Sequence, residues 1–218
     1  MKTNTILLFS LHFSAITVSA QQYSYLFGEA QPKDNKKVEN VDARYFGTYT
    51  SEDDKRIVFN KEGVFSETPI VASINKETVR ESSNYFLRGE YLHGIVENDS
   101  VLFIEDNERL FYMIISTIPI ISSEVSNELV EESASTYWLN FNENKGCVPS
   151  GYRFEGRALI VTHFDYDEET TLLDEVERKE ESNEDDLIHV YLFPDKKEWG
   201  KIKNANVFWR ETRYQKAD

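Results

Sequence analysis

The stretch RIVFNKEGVF, Arg56 to Phe65, decides the fold. Ile57 and Phe59 recur at the period of a strand and so fall on one face. Asn60 to Gly63 supply turn chemistry, and Val64 and Phe65 begin the return strand. The glycine takes a positive φ that a Cβ would oppose. The grammar recurs in WLNFNENKGCV, Trp138 to Val148, where Leu139 and Phe141 alternate and Asn142 to Gly146 turn. The segments after the two turns do not align, so the echo is first of all hairpin grammar, with internal duplication the less favoured reading.

Outward from this hairpin the chain is short strands and turns. YFGTYT, RIVFN, GVFSE, NYFLRGEYLHGIV, SVLFIE and RLFYMIIS come first, with Glu105 to Glu108 turning between the last two. TYWLNFN, GYRFEGRALIVTHFDYD, DLIHVYLFP and NVFWRETRYQ follow. Aromatic and β-branched residues dominate these segments, the pattern of an antiparallel meander. Between them, Ser116 to Ser135 shifts character, with a turn or two of helix expected around Asn127 to Glu132, and marks a candidate boundary or crossing segment. Two interruptions read as helical: the acidic run from Glu168 to Glu181, and DKKEWGKIKNA after Pro194. In the latter Asp195 is the N-cap, Trp199 and Ile202 form a small apolar face, and Asn204 or Asn206 lies near the stop. The expected fold is mainly β: an antiparallel meander forming a barrel or curved sheet, with a short C-terminal helix and an acidic helical or mobile insertion. Residues 44–216 are read as a single β-rich domain, subdivided if anywhere near 116–136, after a flexible leader over 21–43 whose Gly28 to Asp42 part is strongly polar.

Gly47, Thr48 and Tyr49 in FGTYT, followed by Phe59, Asn60 and Gly63 in IVFNKEGVF, resemble the opening of the lipocalin-like domains of exported bacterial proteins. Tyr49 stands where that family usually has Trp. The resemblance is clear over these 20 or so residues and loose over the rest of 44–115. It implies an up-and-down β-barrel or half-barrel whose interior holds a small apolar molecule. The family's binding residues vary, so no site residue is carried over.

Residues 1 to 20 read as a secretory signal: Lys2, an apolar segment from Ile6 to Ile16, and Val18-Ser19-Ala20 before a cleavage point at Gln21. The expectation is export to the periplasm or beyond the cell. Later segments are too short or too polar for a transmembrane helix. The single cysteine, Cys147, allows no internal disulfide and is read as a small packing residue beside a turn. Removing Lys2 with the leader leaves 23 basic against 39 acidic residues, a charge of -16. Such a surface repels phosphate backbones and anionic headgroups, which argues against nucleic-acid and electrostatic membrane binding.

Chemistry is sparse. In THFDYD, period 2 lines up His163, Asp165 and Asp167 on one strand face, in steps of about 7 Å. Such a row suits Zn, Mn or non-haem Fe, but it needs a third donor from elsewhere, and His189 and His93 are the remaining imidazoles. The plainer reading is a solvated polar row. DYDEETTLLDEV begins like a calcium loop, yet Thr170 replaces the required Gly and Val176 the bidentate Glu, so an EF-hand is rejected. In the acidic run, Asp174 with Arg178 and Glu175 with Lys179 are spaced i, i+4 beside a narrow stripe of Leu172, Leu173 and Val176. The nucleophile elbow, phosphate loop and H-E-x-x-H motifs are absent, and Asn98 opens a bare N-x-S sequon. Tyr85, Leu87, Tyr91, His93 and Ile95 share one strand face, with Trp138, Trp209 and Tyr214 in other strands; these are core or cavity lining. The favoured function is an exported, non-enzymatic β-barrel protein that binds a small apolar ligand or an envelope protein partner, without catalytic residues, metal or cofactor. The alternative is a metal-dependent hydrolase built on His163 and Asp165.

Overall fold

Both echoing stretches form two-residue hairpins in the computed structural model, which describes residues 22–96, 99–165, 172–182, 187–205 and 208–217. Asn60 pairs with Gly63 and Glu143 with Gly146. The two glycines differ in their reason. Gly63 has φ +141° and lies against the next strand, so that a Cβ would sit 1.8 Å from the Ile121 carbonyl oxygen. In the second hairpin the positive φ falls on Asn144.

In chain order the strands are β1 Gln22–Phe27, β2 Lys36–Val38, β3 Gly47–Ser51, β4 Arg56–Asn60 and β5 Gly63–Asn75. After helix α1, Lys76–Glu81, come β6 Phe86–Arg88, β7 Tyr91–His93, β8 Ser100–Asp106 and β9 Arg109–Ile121. The second half holds β10 Glu128–Ser133, β11 Thr136–Glu143, β12 Gly146–Glu155 and β13 Ala158–Phe164. It ends with β14 Arg178–Ser182, β15 Leu187–Leu192, helix α2 Lys196–Asn204 and β16 Trp209–Lys216. They form one path, β14-β15-β1-β12-β13-β16-β3-β4-β5-β9-β8-β7-β6, from which β11, β10 and β2 branch at β12. The pairing is antiparallel except between β1 and β15.

The sheet curls without closing into a barrel: among the described residues no strand pairing joins β2 or β10 to β5 or β9. The gap is spanned by side chains instead, Asn127 Nδ2 donating to Ile120 O at 2.9 Å and Asn40 Nδ2 to Asn60 O at 2.7 Å. The concave side is filled. Tyr49, Phe59, Leu139, Phe154 and Val161 are buried there, with Tyr49–Phe59 and Phe59–Phe154 in edge-to-face contact at 5.5 and 5.3 Å. The inner aromatics thus fill the concave side themselves.

A second core lies on the opposite face of β11–β13, where α2 packs. Trp199 and Ile202, the helix's apolar face as expected, are buried there with Phe27, Trp138 and Leu192. The helix opens on a full capping box between Asp195 and Glu198. A third, small core sits in an arm made by the outer halves of β5 and β9 with β6–β8 and α1, around Val79, Leu92 and Leu110.

Four expectations are corrected. The leader carries β1 and β2, and Phe27 is fully buried, so it is not flexible over 22–27 or 36–38; its partners are far away in sequence and hidden from local reading. Asn127 to Glu132 enters strand β10 rather than a helix, since β2 and β11 flank it. The described part of the acidic run is a one-turn 3-10 helix, Leu172–Glu175, and strand β14, with Leu173 and Val176 buried under α2. NYFLRGEYLHGIV is a tight hairpin, β6–β7, so Leu87 and Tyr91 do not share one strand.

Candidate functional site

Alternation along TYWLNFN sends Tyr137 and Leu139 into the concave core and Trp138 outward. The register then places Trp138, Gly151, Thr162 and Glu211 side by side across β11, β12, β13 and β16. Gly151 leaves the space that the indole takes: a Cβ there would lie 3.2 Å from Trp138 Cη2 and 3.4 Å from Thr162 Oγ1. The last turn of α2 ends over this row. Trp209 Nε1 donates to Ile202 O at 2.8 Å, a second donor on a terminal carbonyl that also accepts from the Ala205 N–H at 3.1 Å.

The result is a cleft of about 690 Å³ floored by the Gly151 row, with Trp138 and Trp209 on its walls and Lys203 and Asn204 at its lip. Trp199, buried behind the cleft, packs against both of these indoles. Trp138 lies 5.0 Å from Trp199 and 5.3 Å from Trp209, both edge-to-face. The charged groups are paired with one another: Glu132 binds Lys203 and accepts from Trp138 Nε1 at 2.9 Å, and Arg153 faces Glu211 at 3.8 Å. Glu132 and Lys203 also border a smaller cavity of about 240 Å³ beside Gln31 and Trp199. The Trp199 Nε1 hydrogen is buried with no acceptor among the described residues. The two indoles stand among polar side chains, Glu132, Thr136, Arg153, Thr162, Lys203, Asn204 and Glu211, so the cleft is more polar than a typical apolar ligand pocket and rich in groups that can orient a bound molecule.

The His163 constellation is not assembled. His163 is exposed on β13, with Nδ1 3.3 Å from Ser150 Oγ. Partial burial, then the positive Lys55, pushes its pKa below the ordinary histidine value. Asp165 is ion-paired with Arg210 on β16, and Asp167 lies outside the described residues. His189 is half-buried on β15, and His93 stacks on Phe86 in the arm at 4.7 Å. Among the described residues no three His, Cys, Asp or Glu side chains come together as a metal site. Of the expected acidic-run pairs, Asp174–Arg178 forms at 3.1 Å, but Glu175 takes Lys201 of α2 and Lys179 takes Glu181. Lys145 also reaches Glu181, and hydrogen bonds from the two lysines hold that carboxyl at about 2. Cys147 is a buried packing residue beside the turn, its thiol pushed up to about 12, chiefly by burial.

Sequence reasoning named Trp138 and Trp209 but missed Gly151, Glu132, Arg153 and Lys203. The opposite alternation of Tyr137 and Trp138 was the available signal. Comparison of the chain with protein-family models, curated proteins and solved structures yields no match.

Proposed function

We propose that this is an exported, non-enzymatic binding protein that holds a small ligand in the tryptophan-walled cleft. The observation that carries the reading is the cleft itself: two indoles beside a glycine-cleared floor, with polar side chains on the floor and the edge. The ligand class that fits presents an apolar ring face to Trp209 and hydrogen-bonding groups to Thr162, Arg153 and Asn204. The carboxylates in the cleft already hold basic or indole partners, which suits orientation of a ligand better than proton transfer.

The test is native mass spectrometry of the mature protein purified from its host's envelope fraction, beside a Trp209→Ala variant. Extra mass that denaturation removes and the variant lacks is the expected result. Equal native and denatured masses, with tryptophan emission unmoved by titration with envelope extract, would sink the reading.

A further inference from the structure

The arm exposes more than a small core requires. On the face opposite α1, Val71 is 72% exposed, Ile104 76%, and Met113 and Leu102 each 58%. Register sets Val71 beside Met113, and Tyr91 beside Leu102. A contiguous apolar face of this kind marks an interaction surface.

The edge beside it is open as well. Asn60 and Gly63 close a two-residue hairpin, so the odd-numbered residues of β5 direct their N–H and C=O toward β4. Even-numbered residues then bond β9, an alternation that the β8–β9 hairpin closed at Asp106 and Arg109 fixes independently. Strand β4 ends opposite Glu67. Beyond it, the outward groups of Val71, Ser73 and Asn75 meet no strand among the described residues, and Pro69 offers only its carbonyl.

Charge indicates what covers this edge. The whole chain carries -15, so two copies repel over most of their surface, yet Thr68 to Asn75, TPIVASIN, contains no charged residue. We propose that two copies of this chain pair antiparallel along the free edge of β5, about a two-fold axis between Val71 and Ser73. Val71 of one copy then faces Ser73 of the other, donors meet acceptors in both directions, and the two apolar faces join into one. The contact uses none of the cleft residues, so ligand binding and association fail separately.

Sedimentation equilibrium of the mature chain tests this against Val71→Lys, which sets like charges across the two-fold axis, and Ser73→Pro, which removes an edge donor. Ser73→Ala is the control for the Ser73 hydroxyl, which accepts from Arg109. The expected masses are twice the chain for the wild type and Ser73→Ala, falling to one chain for Val71→Lys and Ser73→Pro with far-UV circular dichroism unchanged. A wild-type monomer at every concentration, including one that captures a different protein's strand instead, overturns the proposal. So does a dimer that survives Val71→Lys with its fold intact.

Discussion

Replacing Gly63 with alanine separates two costs that a hairpin glycine can carry. The new Cβ would sit 1.8 Å from Ile121 O and 2.9 Å from Ile121 C, so backbone must move by more than an ångström. That movement pulls apart the Val64–Ile121 pairing, where β9 already bulges at Ile120. Holding a side chain at φ +141° costs about 1–3 kcal/mol, and one or two disturbed backbone hydrogen bonds add about 1 kcal/mol each. The expected loss is about 2–5 kcal/mol, a large part of the stability of an ordinary domain. Gly156 provides the internal control: its φ is +61°, but a Cβ there meets nothing within 4 Å, so Gly156→Ala should cost only about 1–2 kcal/mol. Urea titrations followed by circular dichroism give both values from the same baseline. If the two variants agree within about 1 kcal/mol, the close approach of β9 to the turn is not what demands glycine at position 63.

Phe59→Ala empties a position 1% exposed and removes ring contacts to Tyr49, Tyr152 and Phe154; thermal and urea unfolding should show a loss of about 3–5 kcal/mol. His163→Gln should leave stability near neutral pH almost unchanged. Because the folded pKa of His163 is depressed, the unfolded chain binds the proton more tightly, and the wild type loses stability as pH falls below the ordinary histidine value; unfolding at pH values above and below that point should show a smaller decline in the variant. A thiol reagent should leave Cys147 untouched near neutral pH in the native protein and label it fully in urea, because the buried thiol is held at about 12; rapid labelling of native protein would refute that burial.

The local elements were legible where their stabilising partners are local. The β4–β5 and β11–β12 hairpins, the turn placed within Glu105 to Glu108, and α2 with its Asp195 cap each close within a few residues. Strand β10 was not legible, because its residues read as weak helix until β2 and β11 flank them. The arm hairpin β6–β7 was read as one long strand because Gly89 and Glu90 interrupt an otherwise continuous aromatic pattern. The metal row failed for a similar reason: Arg210 of β16 stands opposite His163 and takes Asp165 as an ion pair, a partner that only the neighbouring strand could show.

What the sequence determined by itself was the mainly β class, the places of the β4–β5 and β11–β12 hairpins, the capped helix and the shared face of Ile57 with Phe59. These follow from side-chain period and turn geometry, which act over a few residues. The tertiary structure alone decided that the curled sheet stays open, that Gln22–Phe27 pairs in parallel with Leu187–Leu192, and that Trp138, Trp199 and Trp209 meet beside Gly151. Those outcomes depend on contacts between residues distant in the chain, whose loop-closure cost is met only when the whole second core is buried at once.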